Sequence, residues 1–200
     1  MGTDDTGTTE TGTSAPRSGG HEGRRVRRVV TGHRDGKAVF ASDEEVPALT
    51  MAVQPGAEFH RLWGGDEAPT FPDAGLQPAQ PMYFPPVGGF RFGLFTLPPA
   101  GTPGPGPEVD IAAGLADFEA KLPGLLGHME PDAPGFHTTD TIDFEVVLQG
   151  EVVLELDDGA TAVLRVGDTV VQNGTRHKWT NPGDVPAVLA VFICGAHRAG

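Results

Sequence analysis

Cysteine is nearly absent from this chain, and long apolar runs are missing from it. The one cysteine, Cys194, cannot form an internal disulfide, and its place in an apolar stretch predicts a small buried side chain. No run approaches the ~20 apolar residues that a membrane-spanning helix needs, and residues 1–20 lack the apolar segment of a secretory signal. We therefore expect a cytoplasmic protein without a membrane partner.

Basic residues are scarce as well. Lysine and arginine number 14 against 27 aspartates and glutamates, which gives a formal net charge of -13. Such a chain repels a phosphate backbone unless it has a large basic face, so we expect no nucleic-acid partner. The one basic cluster, Arg24-Arg25-Val26-Arg27-Arg28, leads into Val29 and Val30 and indicates the solvated edge of a first strand.

Glycine and proline are abundant, at 29 and 19 residues. Together with a hydrophobic content of 38%, this composition is typical of a turn-rich β protein with a single core. Residues 1–24 are rich in threonine, glycine and aspartate and indicate a disordered tail. We expect one globular domain after that tail.

The segment from Pro134 to Pro182 has the clearest pattern. Short β-branched and apolar runs alternate there with tight-turn signals such as Asp158-Gly159 and Asn173-Gly174. The pattern predicts strands over 142–148, 152–156, 160–166, 169–172, 177–180 and 187–194. Short antiparallel strands of this kind close as a sandwich or a small barrel.

The first half of the chain has weaker signals. Its apolar runs predict strands over 25–30, 37–41, 49–53, 58–63 and 89–97, and the proline-rich stretch 63–86 predicts an irregular connection. Apolar residues at Ile111, Leu115, Phe118 and Leu122 predict one helix over 109–122, which Pro123-Gly124 ends. No internal repeat is visible, so the chain has one β core.

Two spaced motifs lie in the second half. Counting back from Gly150, an acid position falls on Asp143, a first histidine position on His137 and a second on Thr139. This spacing resembles the first motif of the cupin superfamily, with threonine where the family has its second histidine. Downstream, further residues match the family's second motif, namely Gly167, Gly174, His177 and Asn181.

The resemblance implies an all-β fold, the double-stranded β-helix or jelly-roll barrel of cupins, with an N-terminal β extension and one short helix. After the tail over 1–24, it implies an extension over 25–88 and a barrel core over 89–200. It also implies His137, Asp143 and His177 as ligands of one divalent transition metal, which is zinc, iron, manganese or nickel. A fourth ligand is missing at Thr139, and His128 is the first candidate to replace it.

The chain further resembles small monocupins of bacteria and fungi, many of which accompany secondary metabolism. Cupins commonly pair by exchanging or adding edge strands, which hides exposed sheet edges. The resemblance therefore implies a homodimer.

The chemistry of these residues leads to a similar prediction. Two neutral imidazoles and one carboxylate suit a divalent first-row metal and leave positions open for a substrate. Strand parity puts Glu145 on the same face as Asp143, where burial would raise its pKa and make it a general acid or base. The same parity turns Trp179 inward with His177, so that its ring would wall the pocket. The predicted substrate contacts are Trp179, Val147, Phe136 and Thr139.

Simpler interpretations stay open at each position. His137 follows Pro134-Gly135 and fits a solvated loop histidine, and Asp143 fits an acid that binds backbone amides at a strand entrance. A bulge would turn Glu145 to solvent. Trp179 fits ordinary core packing.

Three functions follow from these alternatives. The first is a redox-neutral metal enzyme of lyase, decarboxylase, dehydratase, isomerase or cyclase type, acting on a small organic substrate with chelating oxygens. The second is a non-haem iron dioxygenase, and the third is a non-catalytic cupin that binds a small ligand. Proton transfer by Glu145 favours the first, because oxygen insertion has no evident use for that side chain.

Overall fold

The structure, a computed structural model, describes residues 25–199. These residues form ten β-strands and one α-helix, with short 3₁₀ turns at 126–128 and 157–159. The elements are β1 (Arg27–Arg34), β2 (Lys37–Glu45), β3 (Glu58–Gly65), β4 (Phe90–Leu97), α1 (Ile111–Lys121), β5 (Thr141–Gln149), β6 (Glu151–Glu155), β7 (Thr161–Arg165), β8 (Thr169–Gln172), β9 (Lys178–Thr180) and β10 (Ala187–Gly195).

The strands build two main sheets and a separate hairpin. A five-stranded sheet has the order β3-β4-β10-β5-β8, a three-stranded sheet has the order β7-β6-β9, and β1 pairs only with β2 among the described strands. All neighbours in these sheets are antiparallel. The prediction of an all-β cupin fold is confirmed.

The two main sheets pack through a small apolar core. Val147 on β5 and Leu189 on β10 contact Val152 on β6, and all three are at most 2% exposed. Successive side chains of a strand point to opposite faces, and β5 follows this rule: odd positions from 141 to 147 are buried and even positions are more exposed. The odd face of β5 therefore lines the interior.

Helix α1 closes one side of the larger sheet. Its first turn is capped by Asp110, whose side chain accepts a hydrogen bond from the Ala113 amide. This cap explains why the helix begins inside the predicted range 109–122. Phe118 and Leu122 pack with Phe59 in a second apolar cluster, whereas Ile111 is 49% exposed.

One predicted strand is wrong. The stretch 49–53 forms only an isolated pairing of Leu49 with Phe59, and then turns at Gly56 with a φ of 81°. The stretch does not form a strand because burial of Met51 in the core beside Phe118 outweighs its β propensity.

The N-terminal hairpin neutralises most of the basic cluster. Arg27 and Arg28 of β1 form ion pairs with Asp43 and Glu44 of β2. Arg24 and the tail predicted over 1–24 lie outside the described residues. Among residues 25–199, no helix is long and apolar enough to cross a membrane.

Candidate active site

A cavity of about 440 Å³ lies between the larger sheet, helix α1 and the segment 129–137. Its wall is largely apolar and aromatic, whereas one side carries ionisable groups. The apolar part includes Phe59, Tyr83, Phe84, Phe95, Leu115, Phe118, Leu125, Met129, Trp179 and Val191, and the ionisable part is His137, Asp143, Glu145 and His177 with Glu130. The structure thus brings five predicted site residues to one cavity, namely His137, Asp143, Glu145, His177 and Trp179.

The two histidines are held as a pair by their backbones. His137 and His177 each donate an amide hydrogen bond to the other's carbonyl oxygen at 3.0 Å. Their ring centroids lie 4.1 Å apart. A strand-like bridge between distant parts of the chain therefore sets the spacing of the two imidazoles.

The hydrogen bonds of the rings define the free nitrogen of each. Nδ1 of His137 lies 3.2 Å from the Gly135 carbonyl oxygen, and Nδ1 of His177 lies 2.9 Å from that of Thr175. A carbonyl oxygen only accepts, so Nδ1 donates in both rings and Nε2 keeps its lone pair. This is the arrangement that metal-binding histidines commonly have.

Both imidazoles are neutral at neutral pH. The pKa of His177 is lowered to about 4, mainly because the ring is buried and secondly because of the neighbouring His137. Burial likewise lowers the pKa of His137, against a hydrogen bond to the Gly135 carbonyl. Neutral imidazole is the form that binds metals.

The two acids of β5 are buried in the same cavity. Asp143 is 5% exposed and Glu145 is 6% exposed. Burial raises the pKa of Asp143 to about 6, against a lowering hydrogen bond from the Thr141 side chain. Burial, and next the charge of Asp143, raises the pKa of Glu145 to about 8. Glu145 therefore holds a proton at neutral pH.

Each acid has one oxygen that lacks a partner. Asp143 Oδ1 and Glu145 Oε2 are buried and have no hydrogen-bond partner among the described residues. A buried polar atom without a partner costs on the order of 1–3 kcal/mol. Such a cost at two neighbouring positions indicates that a ligand, a substrate or water completes the site.

A metal fits this site in donor chemistry but not as a preformed cluster. Two free Nε2 atoms and an orphan carboxyl oxygen of Asp143 face one cavity, which is a donor set suited to a first-row metal. Within residues 25–199, however, no three His, Cys, Asp or Glu side chains are grouped closely enough to hold an ion as they stand. Holding an ion with His137, His177 and Asp143 together would therefore require these side chains to move.

Tyr83 is a site residue that the sequence did not reveal. It comes from the irregular stretch 63–86, where its ring contacts Phe59 edge-on at 6.0 Å. Tyr83 as a whole is partly exposed, but its hydroxyl group is enclosed. Burial raises the pKa of this hydroxyl, and the charge of Asp143 is the second cause of the rise. Its one signal is that it is the only tyrosine of the chain.

The predicted substrate contacts fall in different places. Trp179 lies on the cavity wall, edge-on to the His177 ring at 6.1 Å between centroids. Val147 packs in the core between the sheets, and Phe136 lies under the Arg176 guanidinium at 3.8 Å. Neither residue is on the cavity wall.

Thr139 and His128 also lie off the wall. The Thr139 hydroxyl is 2.8 Å from that of Thr141 and is buried with it, so the position of the missing histidine is occupied by a hydroxyl pair. His128 Nδ1 lies 3.0 Å from the Thr138 carbonyl oxygen, and its ring is edge-on to Phe84. His128 is therefore not placed as a fourth ligand.

Comparison with known proteins fits this geometry. Residues 126–194 match Cupin_2, the cupin domain family. These residues of the chain form a cupin domain. The match spans both histidines and all three acids of the cavity, so the cupin motifs and the cavity coincide.

Relatives of this cupin occur in fungi. Oryzines biosynthesis cluster protein J of Aspergillus oryzae is 29% identical over 171 residues, which cover 84% of the cupin and 81% of that protein. Phomopsin biosynthesis cluster protein D of Diaporthe leptostromiformis is 51% identical over 57 residues, 28% of the cupin and 30% of that protein. The cupin-domain-containing oxidoreductase srdD of Neurospora crassa is 42% identical over 77 residues, 33% and 39% of the two chains.

Solved structures resemble the cupin more distantly. An ethanolamine utilization protein Q from Salmonella typhimurium has a TM-score of 0.41 and 12% identity, covering 88% of the cupin and 100% of that chain. A cupin-superfamily sugar phosphate isomerase from Silicibacter pomeroyi has a TM-score of 0.40 and 17% identity, covering 74% and 71%. Likeness at these TM-scores indicates nothing about function.

Proposed function

We propose that this cupin is a metal-dependent enzyme of secondary metabolism. It converts a small organic substrate that bears a carbonyl or carboxylate, by redox-neutral chemistry of lyase, decarboxylase, dehydratase or cyclase type. The observation that carries the proposal is the pair of orphan carboxyl oxygens, Asp143 Oδ1 and Glu145 Oε2, beside two neutral histidines in one cavity. Buried groups left unpaired in this way are typical of catalytic sites.

Four of the ionisable residues have separate roles in this proposal. His137, His177 and Asp143 would hold a zinc, iron, manganese or nickel ion, which when bound polarises a substrate oxygen as a Lewis acid. Glu145 holds a proton at its carboxyl group and transfers it to or from the substrate. Burial in the metal-free protein raises the pKa of Glu145, and this favours a role as general acid in the first step.

Tyr83, in the irregular segment 63–86, supports the same chemistry. Its enclosed hydroxyl interacts electrostatically with both Asp143 and Glu145. As a neutral donor, it would hydrogen-bond a substrate oxygen on which charge develops and keep that oxygen oriented. Phe59 fixes its ring from the sheet side.

The cavity wall defines the class of substrate. Phe95, Leu125 and Trp179 give the cavity an apolar surface in addition to its ionisable groups. A volume of about 440 Å³ suits a modest organic molecule. We infer a substrate with an apolar or aromatic body and a polar end. The names of the oryzines and phomopsin relatives support a place in secondary metabolism.

An iron dioxygenase is the second candidate. Two histidines and one carboxylate also match the donor set of non-haem iron oxygenases, and the Neurospora crassa relative is named an oxidoreductase. A non-catalytic ligand-binding cupin is the third, favoured by the lack of a preformed three-residue cluster within residues 25–199.

One experiment separates the three. Untagged protein, purified without chelator, is analysed for metals and then incubated with a metabolite extract of its producing organism, with and without oxygen, while masses are followed. The proposal expects bound metal and a product formed equally without oxygen, by loss of carbon dioxide or water or at unchanged mass. Product that forms only with iron and oxygen would establish the dioxygenase, and a compound retained unchanged would establish the binding protein.

A further inference from the structure

Two short segments meet at the histidine pair, and they share one layout. In residues 135–137 and in residues 175–177, the carbonyl oxygen of the first residue accepts a hydrogen bond from Nδ1 of the histidine that comes third, at 3.2 Å and 2.9 Å. The middle residue is Phe136 in one segment and Arg176 in the other. Each middle residue therefore lies between the two groups that orient one imidazole ring.

The two middle residues contact each other on the side away from the cavity. At an antiparallel bridge, neighbouring side chains point to opposite sides, so Phe136 and Arg176 turn outward where the histidines turn inward. The guanidinium carbon of Arg176 lies 3.8 Å from the centre of the Phe136 ring. On the inner side, the ring centroids of His137 and His177 lie 4.1 Å apart. The backbone bridge between the segments is thus flanked by a side-chain contact on each side.

Carboxylates hold the Arg176 guanidinium in place over the Phe136 ring. Its Nε and Nη2 atoms donate to the two carboxyl oxygens of Glu130, each at 2.7 Å. Its third nitrogen, Nη1, donates to Asp157 at 3.0 Å. Pairing at two parallel points fixes the plane of a guanidinium as well as its position. We call Arg176, Phe136 and Glu130 the clasp.

Glu130 differs from the other two acids of the cavity. Asp143 and Glu145 each have an oxygen without a hydrogen-bond partner among residues 25–199, whereas both oxygens of Glu130 accept from Arg176. A carboxylate engaged in this way is poorly placed to bind an ion or to move a proton. Its position on the cavity wall is therefore explained by its hold on Arg176.

We propose that Arg176 is a positioning residue for the histidine pair. The clasp fixes the backbones and the Nδ1 acceptors of His137 and His177, from which the two Nε2 atoms reach a metal ion; this last step rests on the proposed function. The backbone bridge alone consists of two hydrogen bonds at 3.0 Å, about which the segments could twist. The contact of Arg176 with Phe136 and Glu130 is a second connection between them, and it opposes that twist.

The geometry of the clasp separates it from an ordinary surface ion pair. Arg165 pairs with Glu151 at 2.9 Å, and its side chain is 69% exposed. Exposed pairs of that kind contribute little. Arg176 is 32% exposed, and all three of its donor nitrogens and the face of its guanidinium are engaged. Arg165 is therefore a matched control for Arg176.

The first test measures cobalt(II) binding, because the visible absorption of this ion depends on the geometry of its ligands. If only charge mattered, Arg176→Met would bind cobalt more tightly, since a cation beside the site is removed. The clasp predicts the opposite: the dissociation constant should rise by about tenfold or more. The spectrum of the bound ion should also change, which a loss of overall stability alone would not cause. Arg165→Met should match the wild type in both measurements.

Two further variants test the parts of the clasp. Arg176→Lys keeps the charge but cannot pair with Glu130 at two parallel points, so it should bind cobalt more weakly than Arg165→Met does. Glu130→Gln should weaken binding as well. Because both changes break one contact, the double variant Glu130→Gln/Arg176→Met should bind no more weakly than the weaker single variant. Fully additive losses would contradict a shared role.

The second test uses metal-free protein and does not depend on the proposed function. A nuclear Overhauser effect between the ring protons of His137 and His177 should be present in the wild type and in Arg165→Met, and lost in folded Arg176→Met. A wild type that takes up no cobalt would contradict the proposed function, and this effect would then decide on the clasp. The proposal is overturned if the wild type lacks the effect, if Arg176→Met keeps it, or if Arg176→Met binds cobalt as tightly as Arg165→Met.

Discussion

Glu145 is the residue whose chemistry depends most on its surroundings. Its carboxyl group is buried beside Asp143 on one face of β5, with an oxygen that has no partner in the described part of the chain. Burial raises its pKa to about 8, far above that of Asp143, which is raised to about 6. Two acids two residues apart thus have different protonation states at neutral pH, which suits one for metal binding and the other for proton transfer.

Replacing Glu145 tests the proton-transfer role. Glu145→Gln keeps the shape and removes the transferable proton, so we expect turnover of the substrate found in metabolite extracts to fall by at least about 10²-fold. Metal content should stay that of the wild type. Glu108→Gln, at an exposed position, is the control and should keep full activity. Equal turnover in the two variants would remove Glu145 from the mechanism.

The histidine pair allows an equally matched test. His177→Ala should lose bound metal, because it removes one Nε2 ligand from the cavity. His128→Ala should keep it, because that ring lies against Phe84, off the cavity wall. Elemental analysis of both variants decides the point. Loss of metal from the His128 variant would make that residue a ligand after all.

The raised pKa of Glu145 predicts a pH dependence of stability for the metal-free protein. Between pH 6.5 and 8, the unfolded chain has lost the Glu145 proton and the folded chain keeps it, so stability falls as pH rises. His177 has the opposite effect, but its pKa, lowered to about 4 by burial, limits that effect to the range below the ordinary value of 6.5. Asp143, at about 6, titrates below the window as well.

Over that window the free energy of unfolding should decrease by about 2 kcal/mol in the wild type. In Glu145→Gln it should be nearly constant, since the titrating group is gone. Urea unfolding at a series of pH values, with chelator present, measures both. Parallel curves for the two proteins would show that burial does not hold this proton.

At the scale of elements, helix α1 is important because it closes the cavity. Phe118 and Leu115 reach the wall from this helix, and Asp110 caps its first turn. Asp110→Ala leaves the Ala113 amide without its acceptor and should lower the free energy of unfolding by about 1 kcal/mol. Asp110→Asn keeps a good cap and should cost much less. Chemical denaturation of both variants tests this, and equal losses would mean that charge, and not capping, is involved.

The strands and helix also show which sequence patterns depend only on residues that are neighbours along the chain. The strands of the second half were predictable because alternating residues and glycine turns depend on neighbours in sequence, as at Asp158-Gly159, where both φ angles are positive. The stretch 49–53 was predicted wrongly because its place depends on the core around Phe118. Tyr83 could not be predicted, because an irregular segment carries it into the cavity.

At the scale of the whole molecule, the site joins distant parts of the fold. The backbone bridge between His137 and His177 ties the segment before β5 to the segment before β9. A metal held by both rings would stabilise the folded chain only, by about 2.7 kcal/mol at one hundred times its dissociation constant. We therefore expect zinc to raise the melting temperature of chelator-treated protein.

A control accompanies that measurement. Zinc should leave the melting temperature of His177→Ala unchanged, and chelator should reverse the rise in the wild type. A rise of equal size in both proteins would mean that zinc binds elsewhere.

The sequence by itself determined the fold class and the positions of the main ligand candidates, because strand alternation and motif spacing are local properties. His137, Asp143, Glu145 and His177 were all named from those patterns, and all four reach one cavity. Only the tertiary structure decided which other side chains share it. Tyr83 joins the cavity while Phe136, Val147 and Thr139 stay off its wall, because that depends on how sheets, helix and irregular segments pack. The register that places Phe92, Phe192 and Phe144 side by side on the larger sheet was likewise settled by strand pairing between residues far apart in the chain.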